Sequence, residues 1–408
     1  MTTSIIINGT EVTISFVGRL DTLTSVEANT KINSQLSSIS CDPSEVSVTC
    51  DASRLEYISS SGLRILLSLA KRYKTNFKVI DVQPQVYGVL ETTRFTAIMN
   101  IERAMRRLSV EGCRLIGIGG VGKVYRLDGD TIIKVFREGT TMEEVQKEIT
   151  LSKEAFVMGM PTPISFDIVK VVSSSRENDE CYGLVYELLQ AQTLSTYLKN
   201  HPGELDVCAR KYADLFRQLH EIEVPADFNV PSAKENERRQ ILYISRYFPE
   251  EKVNMLLAIL DHIPDGNRLL HMDLQTKNAM MQDDELMLID MGEIGYGHPL
   301  LDLGHAYSAM VNFVGDYEKV IGLPREMGQR LWDKAMDYYM EGLPADVVKE
   351  RKAQIEVVSC IRKFSWLSLS DSFPQPLIQE CQSLFDGTVA KRYDYIMDVC
   401  KTFKDWTL

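Results

Sequence analysis

Between Leu269 and Gly292 the chain reads LLHMDLQTKNAMMQDDELMLIDMG, and three of its oxygen-bearing side chains are spaced for chemistry on a phosphate. Asp273 and Asn278 stand five apart. The polar run Gln275 to Asn278 has neither helical nor strand period, which predicts a loop. Two short apolar strings follow, Ala279 to Met281 and Leu286 to Ile289, with Gln282, Asp283 and Asp284 between them, a pattern that predicts a tight hairpin. A hairpin folds back on itself, so its return strand would set Asp290 beside Asn278. A carboxylate and an amide oxygen in that position suit Mg²⁺, which takes few hard protein oxygens and fills its remaining positions from substrate phosphates and water. Asp273 is then left to face a reacting hydroxyl and accept its proton.

A phosphate-holding element must lie upstream, and LIGIGGVGKVYRLDGDTIIKVF supplies one. Gly117, Gly119 and Gly122, with Gly120 between, fit G-x-G-x-x-G, and Gly117 to Lys123 also fits the Walker A frame. Val124 stands where that frame needs a Ser or Thr for Mg²⁺, and no helix follows, so both the Walker and the dinucleotide readings fail. The sequence after Gly122 predicts a strand (Val124 to Leu127), a turn at Asp128-Gly129-Asp130 and a strand (Ile132 to Phe136). A glycine loop joining two antiparallel strands would lay backbone N–H groups over phosphates, with Lys134 within reach of them. Lys134 needs an anionic partner. The helical stretch Glu143 to Phe156 offers Glu143, Glu144, Glu148 and Glu154, of which Glu148, beside apolar Ile149 and Leu151, is the best placed; pairing with Lys147 or Lys153 on the surface is its bland alternative.

His271, Asp273 and Asn278, followed by Asp290 and Gly292, resemble the H-x-D-x-x-x-x-N and D-x-G motifs of the protein-kinase-like superfamily. Met272 replaces the arginine common in protein kinases, and Gly292 leads almost directly into GHPLLDLGHAY, leaving little room for a peptide-docking segment. This short form, with Asp302 in HPLLDL, resembles the small-molecule kinases: aminoglycoside phosphotransferases, choline kinases and homoserine kinases. The resemblance implies a bilobal α+β domain, with a β-rich lobe over residues 113–190 and a helical lobe over 191–408 that includes the substrate-binding region. It further implies ATP or GTP and Mg²⁺ as cofactors, Lys134 on the α and β phosphates, and base contacts through the backbone of Glu187 and Leu189 in LVYELLQAQTL. The acceptor would be a hydroxyl of a small molecule.

The first hundred residues form a different unit. Ser4 to Asn8 and Glu11 to Val17 are strand-like runs around Asn8-Gly9, and alternating helices and strands follow to Leu90, which predicts an α/β layer over residues 1–104. Gly18 to Asp21 and DASRLEYISSSGLRILL from Asp51 resemble the STAS domain of anti-sigma factor antagonists. That resemblance implies a regulatory role, a possible protein partner, and a phosphorylatable serine at a helix N-terminus, matched here by Ser60, with Asp21 nearby. Residues 105–112 are expected to link the domains; Ile101, Met105 and Leu108 at helical spacing predict a short linking helix.

Composition bounds the rest. The formal charge is −12, and residues 1 to 104 carry ten basic and ten acidic side chains, so the negative excess lies wholly in the second part. That balance argues against nucleic acid or an anionic membrane as partner and is compatible with a cationic small substrate. Eight cysteines lack any C-x-x-C pairing, and no segment is apolar enough to span a bilayer, so a cytoplasmic protein with reduced thiols is expected. Two rival functions remain open at this level: a protein serine kinase acting on Ser60 in the same or another chain, and a non-catalytic nucleotide-binding module.

Overall fold

The computed structural model describes residues 1–173 and 176–406, and the chain divides into two compact units, Met1–Leu108 and Ser109–Leu408. In the first, β1 (Thr2–Asn8) and β2 (Glu11–Leu20) form the expected hairpin, with Gly9 at φ +62° in its turn. α1 (Thr22–Leu36), β3 (Ser47–Ile58), α2 (Ser60–Tyr73), β4 (Phe77–Val82), α3 (Pro84–Thr92) and β5 (Asn100–Arg103) follow. The sheet order is β1-β2-β3-β4-β5, antiparallel at the first pair and parallel thereafter. Parallel neighbours need crossover connections, which α1 to α3 provide. Alternate residues of β2, Val12, Ile14 and Phe16, are buried with Leu63, Leu66 and Leu69 of α2 in one core. Gly62 permits the close seat of α2, because a Cβ there would lie 2.8 Å from both Leu20 and Ile58 side chains.

β6 (Arg106–Ser109) spans the boundary, and β7 (Arg114–Ile118), β8 (Gly122–Arg126), β9 (Thr131–Phe136), α4 (Met142–Val157), β10 (Ser165–Ser173) and β11 (Arg176–Glu187) follow in the second unit. Their sheet runs β6-β10-β11-β9-β8-β7. The linking helix is not formed. Residues 100–103 pair with β4 and residues 106–109 enter this second sheet, so two free strand edges outcompete a thin helical stripe.

The helical part contains β12 (Gln192–Thr193), α5 (Leu194–Asn200), α6 (Leu205–Glu221), α7 (Ala233–Tyr243), α8 (Glu250–His262), β13 (Arg268–Leu270), β14 (Ala279–Gln282), β15 (Glu285–Leu288) and β16 (Gly295–Gly297). It ends with α9 (Pro299–Met310), α10 (Tyr317–Ile321), α11 (Arg325–Tyr339), α12 (Ala345–Ser365), α13 (Gln375–Thr388) and α14 (Tyr393–Cys400). The apolar stripe Tyr212, Leu215, Phe216 and Leu219 of α6 is buried, as are Val253, Leu256 and Leu260 of α8. Pro324, Pro344 and Pro374 stand at the starts of α11, α12 and α13. Trp366 and Phe373 meet edge-to-face with ring centroids 5.4 Å apart and pack against the core. Among the described residues no helix is long and apolar enough to cross a membrane.

Candidate active site

The glycine segment is a hairpin tip between β7 and β8, closed by Gly119 N–H donating to Gly122 O at 2.9 Å. Gly122 is the position that tolerates no side chain, since a Cβ would fall 2.1 Å from Val135 O on β9. β8 and β9 are joined by a turn in which Asp128 Oδ1 accepts from the N–H groups of Asp130 and Thr131, both at 2.8 Å. This turn fixes the register that places Lys134 opposite Val124 and Leu184.

From β9, Lys134 Nζ donates to Glu148 Oε1 at 2.8 Å and to Asp290 Oδ1 at 3.0 Å. Glu148 is buried on α4, and Tyr186 O–H donates to the same Oε1 at 2.9 Å. Burial works against the Lys134 ammonium, but the Asp290 and Glu148 carboxylates outweigh it and raise its pKa. Of the four acids considered on the helical stretch, Glu148 is the one that the fold turns inward.

Asp290 reaches Lys134 because the predicted hairpin forms. β14 pairs with β15 from Ala279↔Leu288 to Gln282↔Glu285. The two linking residues, Asp283 and Asp284, both have positive φ (45° and 69°), the geometry of a two-residue I′ turn that Asp tolerates. Ile289 N–H then donates to Asn278 O at 2.9 Å, setting Asp290 next to Asn278. Asn278 Nδ2 donates to Asp273 O and Oδ2, each at 2.8 Å, so only its amide oxygen is left to offer a ligand.

The Asp273 turn is held from beneath. Met272 sits at φ +66° and Asp290 at φ +65°, two strained non-glycine residues of the kind that collect at functional sites. Fully buried Asp302 accepts from Met272 N–H (2.7 Å, Oδ1) and His271 N–H (3.2 Å, Oδ2), and its Oδ2 also meets His220 Nε2 at 3.1 Å. Burial opposes that charge, yet the His220 hydrogen bond and the neighbouring donors hold the carboxyl below its ordinary range. His305 Nδ1 donates to Met272 O at 2.9 Å, while its Nε2 lies 3.1 Å from buried Glu237 Oε1. His271 Nδ1 accepts from Asp273 N–H at 3.2 Å and its Nε2 donates to Ile289 O at 3.1 Å. Both ring nitrogens are thus committed to backbone groups, so His271 is a brace. Burial pushes the Asp273 carboxyl up, Arg362 and His271 pull it down, Asp290 pushes again, and the net shift is upward.

At the strand end, Glu187 N–H donates to Ile164 O at 2.9 Å and is not available to a bound base. Leu189 lines a cavity of about 250 Å³ with Gln190, Ala191, Gln192 and Met281. In the first unit Ser60 opens α2 with an exposed side chain, and the helix cap is Ser59, whose Oγ accepts from Gly62 N–H at 3.4 Å. Asp21 caps α1 instead of standing free: its Oδ1 accepts from Leu23 and Thr24 N–H, and the Thr24 bonds lower its pKa.

Tyr186, His220, Glu237, His305 and the backbone role of Asp302 were not anticipated from the sequence. Only Glu237 carried a usable signal, an acid in line with Ala233 and Ile241 on the buried stripe of α7.

A fold with a glycine hairpin, a lysine–glutamate pair and an Asp–Asn–Asp cluster defines a kinase-like phosphotransferase. The model of the phosphotransferase enzyme family matches residues 113–331 and that of the STAS domain residues 4–107. The chain belongs to the phosphotransferase enzyme family and carries a STAS domain ahead of that fold. No curated protein matches it in sequence. Similar solved structures include a choline/ethanolamine kinase family protein from Mesorhizobium loti (16% identity, 71% of this chain and 92% of that one, TM-score 0.44). The streptomycin–ATP complex of APH(2″)-IIa (16%, 68% and 91%, 0.44) and the GDP complex of aminoglycoside 2′-phosphotransferase-IIIa (17%, 75% and 98%, 0.44) are others.

Proposed function

We propose that this protein transfers the terminal phosphoryl group of ATP or GTP to a hydroxyl of a small molecule, with Asp273 as the proton acceptor. The observation that carries the reading is the pair of contact sets Glu148–Lys134–Asp290 and Asn278–Asp273, joined by the backbone bond from Ile289 N–H to Asn278 O, which gather one cation and four oxygen-bearing side chains from separate elements. Lys134, held by Glu148, would grip the α and β phosphates beneath the Gly117–Gly122 hairpin. The base would lie toward Leu189 and the cavity beside it.

The donor set fits Mg²⁺: Asn278 has its amide nitrogen committed to Asp273 and its oxygen left over, and Asp290 is a partly exposed carboxylate beside it. Bound there, Mg²⁺ would neutralise phosphate charge. Asp273, fixed by Asn278 and by the braced Met272 turn, would orient the acceptor hydroxyl and take its proton. In-line transfer is largely positioning, which a rigid loop supplies.

Turnover of Mg-nucleotide against a panel of hydroxyl compounds tests the reading, with Asp273→Asn as the control. If that variant turns over nucleotide as well as wild type, Asp273 is not the base. For the STAS domain we propose a regulatory role through Ser60, exposed at the first position of α2, where phosphate would meet free N–H groups. Mass spectrometry of the protein after incubation with Mg-ATP is expected to find Ser60 without phosphate if a separate kinase modifies it; phosphate on Ser60 under those conditions would assign that activity to this chain.

A further inference from the structure

One stripe of α12 packs against α9 and α7, and α9 supplies the Asp302 and His305 that hold the Met272 turn. Val358 packs on Gly304 of α9, where a Cβ would come within 2.6 Å of its side chain. Ser365, seven residues on, lies beside Glu237 of α7, which faces His305 and, through it, Met272 O. Arg362 is four residues after Val358 and three before Ser365, so helical spacing sets it on the same stripe. Its charge acts on both nearby carboxylates, Asp273 and Glu237.

Arg362 is half-buried, yet among the described residues it makes no hydrogen bond, ion pair or ring contact. A guanidinium stays charged at any physiological pH and presents five N–H donors in a planar fork. Leaving such a group partly desolvated without an acceptor is costly, and the fork matches a carboxylate or phosphate in two-point contact. Glu237 does not fill the role, being set against His305 Nε2. Lys134, by contrast, is already paired with Glu148 and Asp290.

We propose that Arg362 receives an oxyanion of the phosphoryl acceptor, so that the acceptor is a hydroxyl compound bearing a carboxylate or phosphate group and not a polycation. This rests on the phosphotransfer reading, with Asp273 facing the acceptor. It also departs from what the acidic overall charge suggests, because a local arginine, and not the net charge, would select the acceptor's charged group.

Calorimetric titration of the full-length protein, saturated with Mg-ADP, against glycerate, inorganic phosphate, glycerol and choline tests it. Wild type is expected to bind glycerate and phosphate more tightly than glycerol or choline, and Arg362→Met to lose that preference by about tenfold or more. Arg362→Lys guards against misfolding of the methionine variant: it keeps the charge, loses the planar fork and is expected to fall between the two. Absence of oxyanion binding by wild type, or equal binding by both variants, overturns the proposal. So does a drop in ATP affinity in Arg362→Met with ADP affinity unchanged, which reassigns the arginine to the nucleotide's terminal phosphate. The readout is binding, so its failure leaves the role of Asp273 standing, whereas failure of that role appears as undiminished turnover in Asp273→Asn.

Discussion

Asp273 is a carboxylate whose burial and whose neighbour Asp290 raise its pKa against the pull of Arg362 and His271. A proton acceptor works in its ionised form, so activity is expected to fall as pH drops through a value above the ordinary carboxylate range, and a pH–rate profile reads this directly. Replacing it by Asn should lower turnover by roughly 10²–10⁴-fold while nucleotide affinity, measured by titration, changes little. The same shift has a stability consequence of opposite sign. A group with a raised folded-state pKa favours the fold at low pH and disfavours it once ionised, so Asp273→Asn is expected to melt higher than wild type at neutral pH. The difference should shrink as pH falls from the raised value toward the ordinary carboxylate value and be gone below it.

At the scale of elements, two features set the site, and each is separable from the chemistry. Asp302, at the first turn of α9, holds the backbone of His271 and Met272 and meets His220, all without access to solvent. Asp302→Ala would leave those donors unpaired and His220 without its partner, costing about 3 kcal/mol or more in denaturant unfolding, and would release Met272 from its left-handed conformation. Gly122→Ala would press a methyl into the β8–β9 ladder at Val135 O. Nucleotide affinity is expected to drop with a loss of about 1–3 kcal/mol in stability, while the more open Gly120 should accept Ala with a smaller loss.

For the whole molecule, the two units have separate hydrophobic cores. Independent cores need not unfold together, so denaturant unfolding followed by two probes is expected to show two transitions, one of which responds to nucleotide. A single coincident transition would count against that independence. The second unit carries a formal charge of −14 and the first +2, which sum to the −12 of the chain; net charge describes solubility and steering, whereas recognition is local.

Spacing alone predicted the catalytic hairpin and the strand–turn–strand after the glycine loop, because turn chemistry and apolar periodicity act over a few residues and are written in order along the chain, whereas the choice of Lys134 and Glu148 also drew on the resemblance to the kinase-like superfamily. The two-residue Asp283-Asp284 turn is such a case. What brings β9, α4, the Asp273 loop and Asp290 together, and what supports them from α7, α9 and α12, was decided only in three dimensions. His305, Glu237 and Arg362 lie 32, 36 and 89 residues from Asp273 along the sequence, and no periodicity encodes a contact at that distance. The strands at 100–109 make the same point from the other side: their helical spacing was real, but the open edges of two sheets, which only tertiary folding creates, pair with the backbone instead.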